Sequence, residues 1–365
     1  MRIGLDYLPA VCHAPGIGRY ARELVRALVR LPDCPELALF EIGGGARVME
    51  GPALGLEGAR VVRRRARLPR RVFELYCRAA RSGADRVLGG VELFQRMLPD
   101  YPPVRAARQV LPIAELPPAG SAADARLGRG VGRVEDVIVF STHYAREVCA
   151  RYSLPPERVH RVPVGCDHWR REIPELPAPP GAPHLVVLGA VRRARRPLEV
   201  LRGFAELHAR EPGARLSFVG RPGDAAPALE AALARSPARA SVRWIRAPLE
   251  ADMPALVAGA TALVHLAADE GSAVTPLEAF SLGLAVLATR LPAFEEALGA
   301  DAVWVAPGEE ADAGRLAAGM AAALASAPAP AARQARVARS AGFTWERSAR
   351  ETLDLWRRLV RSSGL

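Results

Sequence analysis

Two short apolar runs in the second half of the chain, Thr261 to Leu266 and Leu284 to Thr289, constrain the fold more than any other feature. Each run is short and sharply bounded, which is typical of a strand buried on both faces of a parallel sheet. Between them there is room for one loop and one helix. The segment therefore predicts a strand-loop-helix-strand unit, whose loop lies at the carboxyl end of the sheet, where open α/β folds bind ligands.

The helix of this unit is predicted to begin with a capping box. Thr275 would be the N-cap, Pro276 the first helical residue and Glu278 the acidic partner in the box. Gly283 would then end the helix. Free N–H groups at such a helix start attract an anion, and Glu270 and Glu278 flank this position. The simpler alternative is a capping box that binds no ligand.

The run from Asp269 to Phe280 resembles the donor-site signature of the retaining nucleotide-sugar glycosyltransferases of family 4, with Glu270 and Glu278 as its two glutamates. That family has the GT-B fold: two facing Rossmann-like domains and a C-terminal helix that crosses back to the first domain. The resemblance implies that Glu270, the catalytic candidate, contacts the transferred sugar and that Glu278 contacts the ribose. The donor-binding residues between them, whose amides from Ser272 onward would hold the diphosphate, are Gly271, Ser272, Ala273, Val274 and Thr275.

An arginine-rich loop opens the second predicted domain. In the relatives a basic pair grips the diphosphate; Arg195 aligns with their usual lysine, while the place of their arginine holds Ala194. Arg193 or Arg196 would have to substitute. Four arginines in five positions beside a helix start repel one another unless an anion is present, which favours a phosphate site over a solvated helix end. Arg246, where relatives bring backbone groups to the nucleobase, is another donor-binding candidate.

Gly16 and Gly18 precede the first predicted helix, Ile17 to Leu31. This is similar to the N-terminal loop of many family-4 enzymes, which faces the donor phosphates or the acceptor. The same glycines also fit a dinucleotide fingerprint, with Glu41 as its acidic residue, so an NAD-dependent oxidoreductase is a remote alternative. The spacing argues against it, because Leu8 to Pro15 separate the strand from the first glycine. A glycine-rich turn packed under a helix is the simplest interpretation.

Two family histidines are missing from the predicted first domain. Gln95 stands where relatives commonly have the histidine of Phe-His, and Ala114 followed by Glu115 stands where they have His-Asp. In relatives the second histidine reaches the donor sugar. Its loss makes a non-catalytic protein, which binds nucleotide or a partner enzyme, the main alternative to an active transferase.

The length of 365 residues predicts two domains. Their predicted borders are 1–172 for an acceptor domain and 183–341 for a nucleotide-sugar donor domain, joined by a proline-rich linker from Glu172 to Pro183, with 342–365 as the crossing helix. No apolar run is long enough to span a membrane, and the start of the chain does not resemble a signal peptide, so we expect a cytoplasmic protein. The five scattered cysteines suggest reduced thiols, and we expect no metal and no cofactor.

All 50 basic residues are arginine, and the net charge is +11. The segment from Arg60 to Arg81 concentrates arginines beside the apolar residues of a predicted helix. Such a helix is usually only amphipathic, but this one also resembles the surface by which GT-B enzymes rest on anionic membranes. No nucleic-acid motif accompanies the charge, so we expect no nucleic-acid partner.

Together the resemblance implies retaining, metal-independent transfer of a hexose from a nucleotide-diphosphate sugar. The acceptor would be a glycan or a lipid-linked glycan in cell-surface polysaccharide assembly. A peripheral position at the inner face of the membrane is compatible with this function.

Overall fold

The computed structural model describes residues 1–12, 16–43, 54–56, 60–173, 175 and 181–362. The chain divides into two compact units. The first comprises Met1–Gly165 together with Trp345–Leu365, and the second comprises Cys166–Thr344. Half of the predicted linker, residues 174 and 176–180, lies outside the described residues, and the predicted domain borders stay predictions.

The described part of the first unit contains a seven-stranded parallel sheet in the order β3-β2-β1-β4-β5-β6-β7. Its strands are β1 (Arg2–Asp6), β2 (Glu36–Ile42), β3 (Val61–Ala66), β4 (Leu93–Gln95), β5 (Arg108–Ile113), β6 (Asp136–Val139) and β7 (Val159–Arg161). Its helices are α1 (Leu8–Val11), α2 (Ile17–Leu28), α3 (Arg70–Ala79), α4 (Ala84–Val87), α5 (Ala122–Val131), α6 (Thr142–Tyr152) and α15 (Trp345–Ser362).

Helix α2 buries the apolar face that the sequence predicts, including Tyr20, Leu24 and Leu28, although the helix ends three residues before the predicted Leu31. The basic run from Val61 to Ala66 forms an edge strand of the first sheet, which was not predicted from the sequence. This strand, β3, pairs with β2, and Arg63 on it holds the buried carboxylate of Glu41 in two hydrogen bonds of 2.7 and 2.9 Å. An edge strand keeps one side in water, so its arginines are compatible with the sheet.

The final helix, α15, returns to the first unit and packs along α2. It buries the indoles of Trp345 and Trp356. Gly165 lies against the start of this helix so closely that a Cβ there would be 2.4 Å from the Trp345 nitrogen. A glycine is therefore required where the chain leaves the first unit.

The described part of the second unit contains a six-stranded parallel sheet in the order β10-β9-β8-β11-β12-β13. Its strands are β8 (His184–Leu188), β9 (Arg215–Val219), β10 (Val242–Ile245), β11 (Ala262–His265), β12 (Ala285–Thr289) and β13 (Val303–Val305). Its helices are α7 (His168–Glu172), α8 (Pro197–Arg210), α9 (Ala226–Arg235), α10 (Met253–Ala258), α11 (Val274–Ser281), α12 (Pro292–Leu298), α13 (Ala313–Ser326) and α14 (Pro330–Ser340).

Both faces of the second sheet are covered by helices. Neighbouring residues of one strand, such as Leu263 and Val264, enter two different apolar cores. One core contains residues of α8 and α13, and the other contains residues of α10, α11 and α12. This explains the uninterrupted apolar runs in the sequence, because alternate side chains point to opposite and equally buried faces. Across the described ranges, no helix is long and apolar enough to cross a membrane.

Candidate functional site

The predicted strand-loop-helix-strand unit is confirmed as β11, a loop, α11 and β12. Strand β11 lies between β8 and β12 in the interior of the second sheet, so its carboxyl end opens among the ends of its two neighbours. The loop that follows β8 reaches the same place, since the N–H of Ala268 donates to the carbonyl oxygen of Ala194 over 3.0 Å. The arginine-rich loop and the loop of Glu270 therefore lie side by side at the carboxyl end of the second sheet.

The capping-box prediction is wrong. Helix α11 begins at Val274, its N-cap is Ala273, and no side chain caps it. The first backbone bond of the helix runs from the N–H of Leu277 to the oxygen of Ala273 over 2.9 Å. Thr275 thus lies inside the first turn, and Pro276 fits there because the N–H groups of a first turn need no intrahelical acceptor.

Three side chains converge at this edge. Arg195 Nη1 lies 2.5 Å from Glu270 Oε2, and His265 Nε2, at the end of β11, lies 2.9 Å from the same oxygen. Arg195 Nη1 and His265 Nε2 are 2.6 Å apart. Only Arg195 keeps appreciable contact with solvent, with 20% of its side chain exposed against 9% for Glu270 and 2% for His265.

The electrostatics of this cluster keep Glu270 ionised. Burial alone would raise the pKa of Glu270, but the neighbouring Arg195 and His265 outweigh it and lower the pKa to about 2. For His265, burial and the neighbouring guanidinium lower the pKa below its ordinary value, despite the opposing effect of Glu270. The imidazole is therefore neutral beside a fixed negative charge and a fixed positive charge.

Glu278 is fully buried, and it is not a cap because it lies five residues into α11. Its Oε1 lies 3.3 Å from Nε2 of His168, a residue of α7 that is itself buried. The predicted contact of Glu278 with a ribose stays a prediction. The carboxylate is held by the protein in this structure.

The other predicted arginines are also engaged by protein groups. Arg196 Nε lies 3.7 Å from the buried carboxylate of Glu310, which accepts a hydrogen bond from Thr289 at the end of β12. The backbone N–H of Arg193 donates to Asp224 over 2.9 Å, and its side chain is exposed. Carboxylates of the protein therefore offset part of the repulsion among the four arginines, which the sequence analysis expected a bound anion to offset.

Arg246 lies elsewhere in the second unit. Its guanidinium stacks 4.3 Å from the ring centre of Trp244 and pairs with Glu230 of α9 over 2.6 Å. Neither partner belongs to the Glu270 cluster. Of the other predicted loop residues, Gly271 and Ala273 are buried, and Ser272, Val274 and Thr275 are half-buried; their contact with a diphosphate stays a prediction.

In the first unit, Gly16 is the N-cap of α2 with a φ of +67°, a conformation that favours glycine, and Gly18 is buried in the helix. Helix α1 intervenes between β1 and these glycines, unlike a dinucleotide site. Glu41, the acidic residue of that alternative, is already held by Arg63. The geometry thus gives the oxidoreductase alternative no support.

Gln95 is committed to the interior of the first unit. Its Oε1 accepts from Trp356 Nε1 over 3.0 Å, and its Nε2 donates to the hydroxyl of Tyr20 over 3.3 Å. Gln95 therefore links β4 to both α15 and α2. Ala114 is half-buried after β5 and offers no polar group.

Sequence reasoning missed three buried polar residues of the second unit, namely His265, His168 and Glu310. His265 had a detectable signal, because it interrupts the otherwise apolar run from Ala262 to Leu266. Such a residue at the carboxyl end of a buried strand needs a polar partner, which the next loop supplies. His168 and Glu310 are distant in sequence from the residues they contact, so no local pattern marks them.

Residues 182–326, most of the second unit, match the sequence model of the family described as glycosyl transferases group 1. No curated protein sequence matches the chain.

Solved structures align over nearly the whole chain. Sucrose-phosphate synthase from Thermosynechococcus elongatus has a TM-score of 0.73 at 15% identity, covering 99% of this chain and 100% of its own. HepE from Anabaena, solved in complex with UDP-glucose, has a TM-score of 0.72 at 13% identity, covering 98% and 99%. WaaG, a glycosyltransferase involved in lipopolysaccharide biosynthesis, has a TM-score of 0.63 at 14% identity, covering 96% and 95%.

At these identities the similarity establishes the fold, and the predicted GT-B fold is confirmed. The family match covers the unit that carries the Arg195, Glu270 and His265 cluster. The narrower resemblance to family 4 stays a prediction. The chain therefore combines the GT-B fold with a segment, residues 182–326, that matches the group 1 glycosyltransferase family model.

Proposed function

We propose that the protein transfers a hexose from a nucleotide-diphosphate sugar to a glycan or lipid-linked acceptor. The observation that carries the proposal is the pairing of Arg195 with Glu270 over 2.5 Å at the carboxyl edge of the second sheet. A guanidinium binds phosphate oxygens, and an ionised carboxylate accepts hydrogen bonds from sugar hydroxyls. The two side chains therefore supply the groups that a sugar diphosphate needs, beside the free N–H groups at the start of α11.

The proposed reaction retains the anomeric configuration and uses no metal. Both features come from the family-4 resemblance of the loop from Asp269 to Phe280. Arg195, with Arg193 or Arg196, and the first N–H groups of α11 would stabilise the charge on the departing diphosphate. Loss of one such contact typically costs about 2.7–4 kcal/mol of transition-state stabilisation.

The proposed acceptor is part of a cell-surface polysaccharide, and the proposed location is the cytoplasmic side of the membrane. WaaG, a glycosyltransferase involved in lipopolysaccharide biosynthesis, has the same fold. Support in this chain comes from α3 and the segment before it. Leu75 and Tyr76 of α3 are 67% and 53% exposed, and Arg64, Arg67 and Arg71 nearby are exposed as well. Exposed apolar side chains in a segment with several exposed arginines suit an anionic lipid surface.

A second candidate function is a non-catalytic protein that binds a nucleotide or a partner enzyme. The observation in its favour is that Gln95 is locked between Trp356 and Tyr20, while Ala114 has no polar group. The first unit thus offers a sugar fewer polar contacts than the family pattern does. Under this alternative, nucleotide binding survives and transfer does not.

The two functions are separated by measuring nucleoside diphosphate release from UDP-, GDP-, ADP- and TDP-sugars, with and without an extract of candidate acceptors. An active enzyme releases one nucleotide faster when acceptor is present, also in EDTA, and proton NMR of the product shows a retained anomer. Restoring Ala114→His together with Glu115→Asp should raise a slow rate, because one well-placed acid-base group contributes roughly 10²–10⁴-fold. Nucleotide binding with no release by either protein would support the non-catalytic function.

A further inference from the structure

One ring nitrogen of His265 contacts both a hydrogen-bond donor and a hydrogen-bond acceptor. Its Nε2 lies 2.9 Å from Glu270 Oε2, which can only accept a hydrogen bond, and 2.6 Å from Arg195 Nη1, which can only donate one. A neutral imidazole nitrogen is either a donor or an acceptor. His265 Nε2 therefore cannot serve both neighbours at the same time.

The two tautomers of His265 correspond to two arrangements of the cluster. With the proton on Nδ1, Nε2 accepts from Arg195, and Arg195 also holds Glu270 through their contact of 2.5 Å. With the proton on Nε2, His265 donates to Glu270, and the guanidinium must withdraw because two donors would otherwise meet. The charged groups that act on the ring are Arg195, Glu270 and Glu278, and the ring of Phe294 lies 5.5 Å from it.

Arg195 is the member of the cluster that is able to withdraw. It stands on a short 3-10 turn before α8, and a fifth of its side chain is in solvent. Glu270 and His265 are almost completely enclosed. A ligand anion that reaches the arginine-rich loop would compete with the Glu270 carboxylate for the same guanidinium.

We propose that His265 is a positioning residue that takes over the Glu270 carboxylate when Arg195 turns to the donor diphosphate. This inference rests on the proposed function, since it uses the donor site of Arg195 and Glu270. In the ligand-free protein, Arg195 holds both Glu270 and His265 Nε2. In the donor complex, the imidazole proton is on Nε2 and orients the carboxylate toward the sugar.

The first test reads the tautomer directly and requires no activity. Protein with ¹⁵N-labelled histidine is compared as wild type and as Arg195→Gln, and the His265 signals are assigned by their loss in His265→Gln. The expected result is a bare Nε2 in the ligand-free wild type and a protonated Nε2 in Arg195→Gln. The same tautomer in both proteins would overturn the proposal.

Addition of UDP, GDP and ADP to the labelled wild type separates this inference from the proposed function. One of them should convert His265 to the Nε2-protonated form. Binding of a nucleotide, seen by titration calorimetry, without this conversion would overturn the positioning role alone. A tautomer difference in Arg195→Gln with no binding of any nucleotide would overturn the donor site, and the positioning role with it.

The second test uses kinetics of nucleotide release from the sugar donor that the wild type accepts. His265→Phe should leave KM within about threefold and lower kcat roughly 10- to 100-fold, by analogy with the loss of a residue that orients a metal-binding side chain. His265→Gln, which keeps an N–H donor at similar reach, should recover most of kcat. Equal losses in the two variants, with both folded by circular dichroism, would mean that His265 only fills space and would overturn the proposal.

Discussion

Gln95 shows how one residue can exchange a possible site role for a structural one. The family resemblance places a histidine at this position, but the amide here satisfies two buried groups, Trp356 Nε1 and the Tyr20 hydroxyl. If the amide were removed, the Trp356 N–H would lose its acceptor and the Tyr20 hydroxyl would lose its donor. Unpaired buried polar groups lower the free energy of unfolding, so we expect replacement of Gln95 to affect protein stability more than catalysis.

We therefore expect Gln95→Leu to lower the free energy of unfolding by about 1–3 kcal/mol, the usual cost of a buried polar group left unpaired. Urea unfolding followed by tryptophan fluorescence measures this change. Tyr20→Phe, which removes only one of the two hydrogen bonds, is the matched control and should have a smaller effect. An unchanged unfolding midpoint in Gln95→Leu would refute the structural role.

Glu278 differs from its predicted role as a cap, because it is buried against His168. We expect Glu278→Gln, which keeps the volume, to weaken nucleotide binding while the unfolding midpoint changes little. Glu278→Ala should in addition destabilise the second unit, since it leaves a cavity and removes the partner of His168. Calorimetric titration and urea unfolding of both variants distinguish these effects. Unchanged nucleotide affinity in both would limit Glu278 to a packing role.

At the scale of elements, the predictable parts are those with a local pattern. The apolar runs of β11 and β12 and the amphipathic face of α2 predicted the elements within a few residues, because burial imposes a period on the sequence. The start of α11 was mispredicted by two residues: Thr275 and Pro276 suit a helix start wherever they lie in the first turn. Propensity alone cannot fix the register there.

The partners of buried polar groups were not predictable from local pattern. Glu278 meets His168 and Arg196 meets Glu310 across more than a hundred residues of chain. Such pairs are set by how the sheet brings loop ends together. The Glu270 loop and the arginine-rich loop were predicted individually, and the sheet order explains why they meet, since β8 and β11 are neighbours.

Helix α3 and the preceding segment carry a prediction of their own. Arg64, Arg67 and Arg71 are exposed, whereas Arg63 is paired with Glu41 and has a structural role. Reversing the three exposed charges to glutamate should weaken binding to anionic vesicles, with each basic residue contributing about 1 kcal/mol near the surface. Vesicle sedimentation at low and high salt measures this. A matched reversal at Arg235, Arg239 and Arg243 of the second unit should have little effect, and equal losses would contradict a specific surface.

At the scale of the whole molecule, the two units should respond to pH in opposite directions. Burial raises the pKa of Asp6 in the first unit to about 7, against the opposing effects of the Leu8 N–H and two arginines. The pKa of Glu270 in the second unit is instead lowered to about 2, because Arg195 and His265 outweigh its burial. The folded state thus favours protonated Asp6 and ionised Glu270.

Asp6 should therefore lower the stability of the first unit as pH rises from about 4 to 7, since the unfolded carboxyl loses its proton first. Glu270 should stabilise the second unit above pH 4.5, and this contribution should disappear as pH falls toward 2. The effect is on the order of 4 kcal/mol at most for Asp6 and on the order of 3 kcal/mol at most for Glu270. In urea unfolding, Asp6→Asn should remove the loss of stability between about pH 4 and 7, and Glu270→Gln should remove the loss of stability below pH 4.5. Retention of both losses in these variants would refute these assignments.

The proposed function depends most directly on a diphosphate site formed by Arg195 beside Glu270. The decisive measurement is thermal stability of the wild type, Arg195→Gln and the exposed control Arg235→Gln with UDP-, GDP-, ADP- and TDP-sugars. We predict that at least one donor raises the Tm of the wild type and of Arg235→Gln, and that Arg195→Gln loses this shift. No shift with any donor, or an equal shift in Arg195→Gln, would contradict the proposed function.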